Sequence, residues 1–147
     1  MVKRILIPTD FSESSTAAVE VAIEYSRVFK AGIQLLHVYP DPAYVLPAPL
    51  EVVTLPIDLT RVYEEVEKRL GSEADRIRAT GVPCEGATLT GRPHTEIVEH
   101  AKKIGADLIV MGTHGRGGLS HAILGSVAER VLHKAPCPVL IVPMRKG

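Results

Sequence analysis

At 147 residues, with 46% apolar side chains, the chain is long enough for one globular domain with a substantial core. Seventeen basic and seventeen acidic residues balance to a formal charge of zero, which argues against nucleic acid or an anionic membrane as the main partner. Two cysteines allow one disulfide at most, the N-terminal apolar run is too short for a signal peptide, and no stretch reaches membrane-spanning length, so a cytoplasmic location with reduced thiols is expected.

The first predicted element is a strand at Ile5, Leu6 and Ile7, closed by Pro8. A helix follows, with Ala18, Val21, Ala22 and Tyr25 at helical spacing. Two start signals compete for it, an Asp10–Glu13 capping box and Ser12 as the cap. Gly32 is its expected C-terminal cap. Ile33, Leu35, Leu36 and Val38 form the second strand. Pro40, Pro42, Pro47, Pro49 and Pro56 then exclude a regular helix or central strand over residues 40–58. That stretch is nevertheless apolar, so it reads either as a lid or contact surface for a protein partner, or as a loop folded over its own core.

Leu59, Val62, Tyr63, Val66 and Leu70 line one face of a long charged helix, which Ala74 and Ile77 extend. Gly71 weakens its middle and Gly81 ends it. Residues 84–90 form a strand of small and polar composition. Gly91-Arg92-Pro93 turns into a third helix, with Pro93 in its first turn, Ile97, Val98 and Ala101 facing inward, and Gly105 as C-cap. Leu108 to Met111 is a buried-type strand. After a glycine loop, Val127, Ala128, Val131 and Leu132 form the last apolar helix face. Val139 to Val142 is the final strand, bracketed by Pro136, Pro138 and Pro143. Strands and helices thus alternate, five of one and four of the other, which predicts an α/β fold with a parallel sheet covered on both faces.

The stretch from Asp107 to Val127 carries the chemistry. Gly112, Gly115, Gly117 and Gly118 follow an apolar strand, and Gly125-Ser126 opens a helix. Glycines let backbone N–H groups approach an anion, and a helix start adds unpaired N–H groups and a positive dipole end. A Walker A loop fails here, because Gly117 is followed by Gly118 and Leu119 rather than Lys and Ser/Thr. A dinucleotide fingerprint from Gly115 and Gly117 fails at Ser120. Ser126 with Glu129 makes a capping box, and its hydroxyl is equally placed to donate to a phosphate. Arg116, always charged and able to bind in a bidentate way, is a better phosphate partner than His114, which reads more as an orienter of the loop. Asp10 has two readings, a helix cap or an acceptor for a ribose hydroxyl or the adenine amino group, with a third option of holding magnesium through water.

The spacing Gly112-x2-Gly115-x9-Gly125-Ser126 resembles the Gly-x2-Gly-x9-Gly-Ser/Thr pattern of the ATP-binding branch of the universal stress proteins. The resemblance extends along the whole chain, 1–147, as a single domain. It implies an open, doubly wound, Rossmann-like five-stranded parallel sheet of order 3-2-1-4-5 with four helices. It implies a nucleotide pocket at Pro8, Thr9 and Asp10, with adenine read by the backbone at Val38. Met111 would belong to the same pocket, and phosphates would lie on Gly112, Thr113, His114, Gly115, Arg116, Gly117 and Gly118, and on Gly125, Ser126 and Val127. ATP is the implied ligand, with Mg2+ or Mn2+ bound through its phosphates. The implied role is a regulatory nucleotide-binding module in stress response. The alternatives are a slow ATPase, or a dimeric scaffold in which ATP is structural. No Walker lysine or evident base supports fast phosphoryl transfer.

Other constellations fall short. His94-Thr95-Glu96 with Pro136-Cys137 lacks the second cysteine of a zinc deaminase, since Leu140 stands there. There is no His-Glu-x-x-His and no Gly-x-Ser-x-Gly. Under the implied strand order the last strand is an apolar edge, and both this and the resemblance point to a homodimer paired antiparallel through residues 138–143. The competing arrangement is a monomer whose edge is covered by residues 40–58.

Overall fold

A computed structural model describes residues 1–41, 59–113 and 124–144. In chain order the elements are β1 (Arg4–Pro8), α1 (Glu13–Phe29), β2 (Gly32–Pro40), α2 (Leu59–Ala79), β3 (Cys84–Gly91), α3 (Pro93–Ile104), β4 (Leu108–Gly112), α4 (Ser126–Lys134) and β5 (Val139–Val142). The strands form one parallel sheet in the order β3-β2-β1-β4-β5. The chain therefore reverses its direction of growth between β1 and β4, where Ile5 pairs with Leu108 and Leu6 with Ile109. In such sheets the crevice beyond the carboxyl ends of the strands at this reversal is the natural ligand site.

Alternate strand residues point to opposite faces, and each face builds its own core. Ile5, Ile7, Ile33, Leu35 and Val110 pack with Ala18, Val19, Ala22 and Ile23 of α1 and with Leu70, Ala74 and Ile77 of α2. Leu6, Leu36, Val38, Ile109 and Met111 pack with Ile97 and Ala101 of α3 and with Ala128 and Val131 of α4. Ile5, Leu6 and Ile7 of β1 are completely buried, so truncating Leu6 or Ile7 to alanine costs about 2–5 kcal/mol.

Several local expectations are corrected. Ser12 is the N-cap of α1, its hydroxyl accepting from the Ser15 N–H at 3.2 Å, so the Asp10–Glu13 box does not form the cap. Lys30, in the left-handed region at φ 56°, is the C-cap of α1 in place of Gly32. Gly32 is already in β2, donating its N–H to the Lys3 carbonyl at 3.0 Å. Gly125 is the N-cap of α4, which makes Ser126 the first helical residue instead of a cap. The apolar stripe of α2 is buried only at Leu70, Ala74 and Ile77, while Leu59, Val62 and Tyr63 are exposed. Tyr25 and Leu132 are also exposed, and Val19 and Ile23 complete the buried face of α1. Gly105 does cap α3, in the left-handed region at φ 62°.

Candidate functional site

The crevice at the sheet reversal is a cavity of about 650 Å³, a size typical of small-molecule sites. Its walls come from the loop after β1, the end of β2, the end of β4, and the starts of α3 and α4. Pro8, Thr9, Asp10, Val38, Met111, Gly112, Thr113, Gly125, Ser126 and Val127 all line it. Every predicted site residue within the described part of the chain is thus gathered around one space. His114, Gly115, Arg116, Gly117 and Gly118 lie outside the described residues, as does all of the 40–58 stretch except Pro40 and Asp41.

The loop after β1 is held by its own polar groups. The Thr9 N–H donates to the Leu36 carbonyl at 2.8 Å, extending the β1–β2 ladder by one residue. The Phe11 N–H donates to Thr9 Oγ1 at 3.1 Å. Oδ1 of Asp10 accepts from the Ser12 N–H at 2.9 Å and from the Ser15 hydroxyl at 2.7 Å. The Asp10 N–H in turn donates to Ser15 Oγ at 3.2 Å. Phe11 takes up the left-handed region at φ 65°, unusual for a bulky side chain.

That conformation is clamped from two neighbouring elements. His37 of β2 stacks on the Phe11 ring at 5.0 Å, and the Arg69 guanidinium of α2 lies 4.7 Å from its centroid. His37 Nδ1 is 2.8 Å from the Thr9 carbonyl oxygen. A carbonyl only accepts, so Nδ1 carries the proton. The row continues along β2, with His37 edge-on to Tyr39 at 5.1 Å and Tyr39 edge-on to Tyr63 of α2 at 4.6 Å. Burial and the Glu67 carboxylate raise the Tyr39 phenol above its ordinary pKa, so it stays neutral at physiological pH.

Sequence reasoning missed Phe11, Ser15, His37 and Tyr39 as wall residues, together with Val62, Val66 and Ile97. A signal for two of them was present, since His37 and Tyr39 are two apart on a strand and so share a face.

The opposite wall is the start of α4. The Gly125 N–H donates to the Thr113 carbonyl at 2.6 Å, tying the end of β4 to the helix cap. The Gly125 carbonyl accepts from the Glu129 N–H at 2.9 Å, which closes the first turn. The cap makes no side-chain hydrogen bond to the helix. The first N–H groups of a helix have no acceptor within it, and those of α4 stand at the cavity where Ser126, Val127 and Ala128 line it. This end of the cavity suits an anion. The rest is mainly apolar and suits a flat, weakly polar group. Among the described residues no three His, Cys, Asp or Glu side chains gather as a metal-binding group, and no helix is long and apolar enough to cross a membrane.

The profile of the universal stress protein family matches residues 1–143. The chain belongs to the universal stress protein family. Universal stress protein MJ0531 of Methanocaldococcus jannaschii is 41% identical over 145 residues, spanning 98% of this chain and 84% of that one. The solved structure of MJ0577, from the same organism, superposes with a TM-score of 0.73 at 30% identity, covering 100% of this chain and 99% of that one. A universal stress protein crystallised in complex with cAMP superposes with a TM-score of 0.71 at 26% identity, with 97% of each chain covered. The five-stranded order and the four helices described above are the universal stress protein architecture.

Proposed function

We propose that this universal stress protein binds ATP in the cavity at the β1–β4 reversal and serves as a cytoplasmic regulatory module in stress response. The observation that carries the reading is the convergence of two unlike ends in one space. A helix start with open N–H groups faces a largely apolar chamber built on Pro8, Val38 and Met111. Adenine fits between Pro8–Asp10 and the backbone at Val38, with the ribose beside Asp10. The phosphates run toward Gly125, Ser126 and Val127, and onto the glycine loop through Gly118. A divalent cation such as Mg2+ or Mn2+ would accompany the phosphates. The complex of a relative with cAMP supports an adenine nucleotide as the ligand class.

Residues 112–126 contain no lysine, so the Walker-type lysine that supports fast phosphoryl transfer is missing, and Arg116 is left as a phosphate-binding charge. The reading is therefore of a bound nucleotide that is not rapidly hydrolysed and is sensed by a partner. Residues 40–58 are the candidate surface for that partner, and residues 138–143 for a second copy of the chain.

Mass spectrometry of small molecules released from the purified protein tests the ligand directly, and calorimetry with ATP tests its affinity. Gly115→Val is expected to abolish ATP binding while the far-ultraviolet dichroism is unchanged. A folded Gly115→Val protein with wild-type affinity would reject the phosphate placement. ATP turnover that disappears on substituting Gly125 would favour an enzyme over a binding module.

A further inference from the structure

We infer that Ser15 is a positioning residue that orients the Asp10 carboxylate for a ribose hydroxyl, an inference that rests on the nucleotide reading above. Ser12, not Asp10, caps α1. The Asp10 carboxylate is therefore not the N-cap, although it lies just before the helix and lines the cavity. It is nonetheless tightly held. Asp10 and Ser15 form a closed two-bond ring, with the Asp10 N–H donating to Ser15 Oγ at 3.2 Å and the Ser15 hydroxyl donating to Asp10 Oδ1 at 2.7 Å. The Ser12 N–H adds a second donor on the same oxygen at 2.9 Å.

A hydroxyl has one proton and two lone pairs. The Ser15 proton is used on Asp10, and its oxygen accepts from the Asp10 N–H and from the Ser12 hydroxyl at 3.3 Å. Although Ser15 lines the cavity, it has no proton left for a ligand and acts through Asp10. It is well suited to that, being 7% exposed and sitting on the first turn of α1. Two donors converging on Oδ1 fix the rotation of the carboxyl group. The direction in which Asp10 accepts is then set before a ligand arrives, which is what pre-organisation of a binding group requires.

A carboxylate accepts and does not donate, so it selects a hydroxyl and repels bare phosphate. The site is thereby made to discriminate ribonucleotides from deoxyribonucleotides, with Ser15 setting the strength of the discrimination.

Calorimetric titration with ATP, 2′-deoxyATP and 3′-deoxyATP tests this. The wild type should bind ATP about tenfold more tightly than at least one deoxy analogue, the scale of a charge-assisted hydrogen bond. Ser15→Ala should lose about tenfold in ATP affinity while affinity for that analogue changes by less than about twofold. Asp10→Ala should bind ATP and that analogue alike, and adding Ser15→Ala to it should have no further effect. Ser12→Ala removes the helix cap, so it should lower the melting temperature yet keep the discrimination. Equal losses for ATP and the analogue in Ser15→Ala would overturn the inference, as would wild-type discrimination in that variant or its collapse in Ser12→Ala. A wild type that binds no ATP would instead overturn the nucleotide reading itself, and this inference with it.

Discussion

Gly112 and Ser14 are in direct backbone contact. A Cβ placed on Gly112 would overlap Ser14 Oγ and lie 2.6 Å from the Ser14 carbonyl oxygen. The first turn of α1 therefore sits on the end of β4 with no room between them. This glycine has a packing reason that is independent of any ligand. Gly112→Ala must push α1 away or displace β4, and should cost about 1–3 kcal/mol in urea unfolding. An unchanged unfolding midpoint would refute the contact. Gly112 is for the same reason a poor position at which to test ligand binding.

Phe11 separates a backbone effect from a ring effect. Its left-handed φ of 65° costs a bulky residue about 1–2 kcal/mol, a cost that glycine does not bear. Its ring is held by His37 and Arg69. Both Phe11→Ala and Phe11→Gly lose the ring, but only Phe11→Gly also relieves the backbone. The expected order of stability is wild type, then Phe11→Gly, then Phe11→Ala, with about 1 kcal/mol between the two variants. Thermal unfolding with alanine more stable than glycine at this position would show that the backbone there is not strained.

Asp107 links pH to the closure of the sheet. Its carboxylate accepts from the Lys3 and Arg4 N–H groups at 2.8 and 3.0 Å, pinning the start of β1 beside β4. The Lys3 N–H is the larger influence and holds the Asp107 pKa below its ordinary value, with the Arg4 N–H and nearby positive charge acting the same way. A depressed carboxylate pKa stabilises the fold above the unfolded pKa, near about 4, and that contribution is lost as pH falls through the folded value. Asp107→Ala should therefore melt below the wild type at pH 7, and the gap should narrow steadily below about pH 4. A gap that stays constant down to pH 2 would show that the charge contributes nothing.

Assembly is tested at β5. Among the described residues this strand pairs only with β4, at the edge of the sheet, with Val139, Leu140 and Ile141 partly buried. Open N–H and C=O groups on an apolar edge favour pairing with another chain. Sedimentation should find a dimer at micromolar concentration, and Ile141→Lys should give monomers that still bind ATP, since the cavity lies at β1 and β4. A monomeric wild type would reject the dimer, and a dimeric Ile141→Lys protein would reject this interface.

The fold was readable because both periodicities were strong. Near-continuous apolar runs such as Ile5–Ile7 and Leu108–Met111 could only be buried on two faces. The caps were less readable. Gly32 is needed one step later, in the β1–β2 ladder, so Lys30 takes the left-handed position. The stripe of α2 was correctly periodic, but periodicity does not say which turns are covered, and only Leu70, Ala74 and Ile77 lie against the sheet. In the site, the motif and its family pattern named residues that, where described, line the cavity, such as Gly112, Gly125 and Ser126. Ser15 gave no signal, and the shared face of His37 and Tyr39 gave no role, because their contacts appear only once β2 lies beside β1 and α2 packs against β2 and β3.

The tyrosines of the aromatic row have an optical consequence. The chain has no tryptophan and four tyrosines, so its intrinsic fluorescence and near-ultraviolet dichroism are tyrosine signals. Tyr39 forms part of the cavity wall and meets Tyr63 edge to face at 4.6 Å. The protein thus carries its own unlabelled reporter, in which filling the chamber changes the surroundings of a chromophore that a second one already touches.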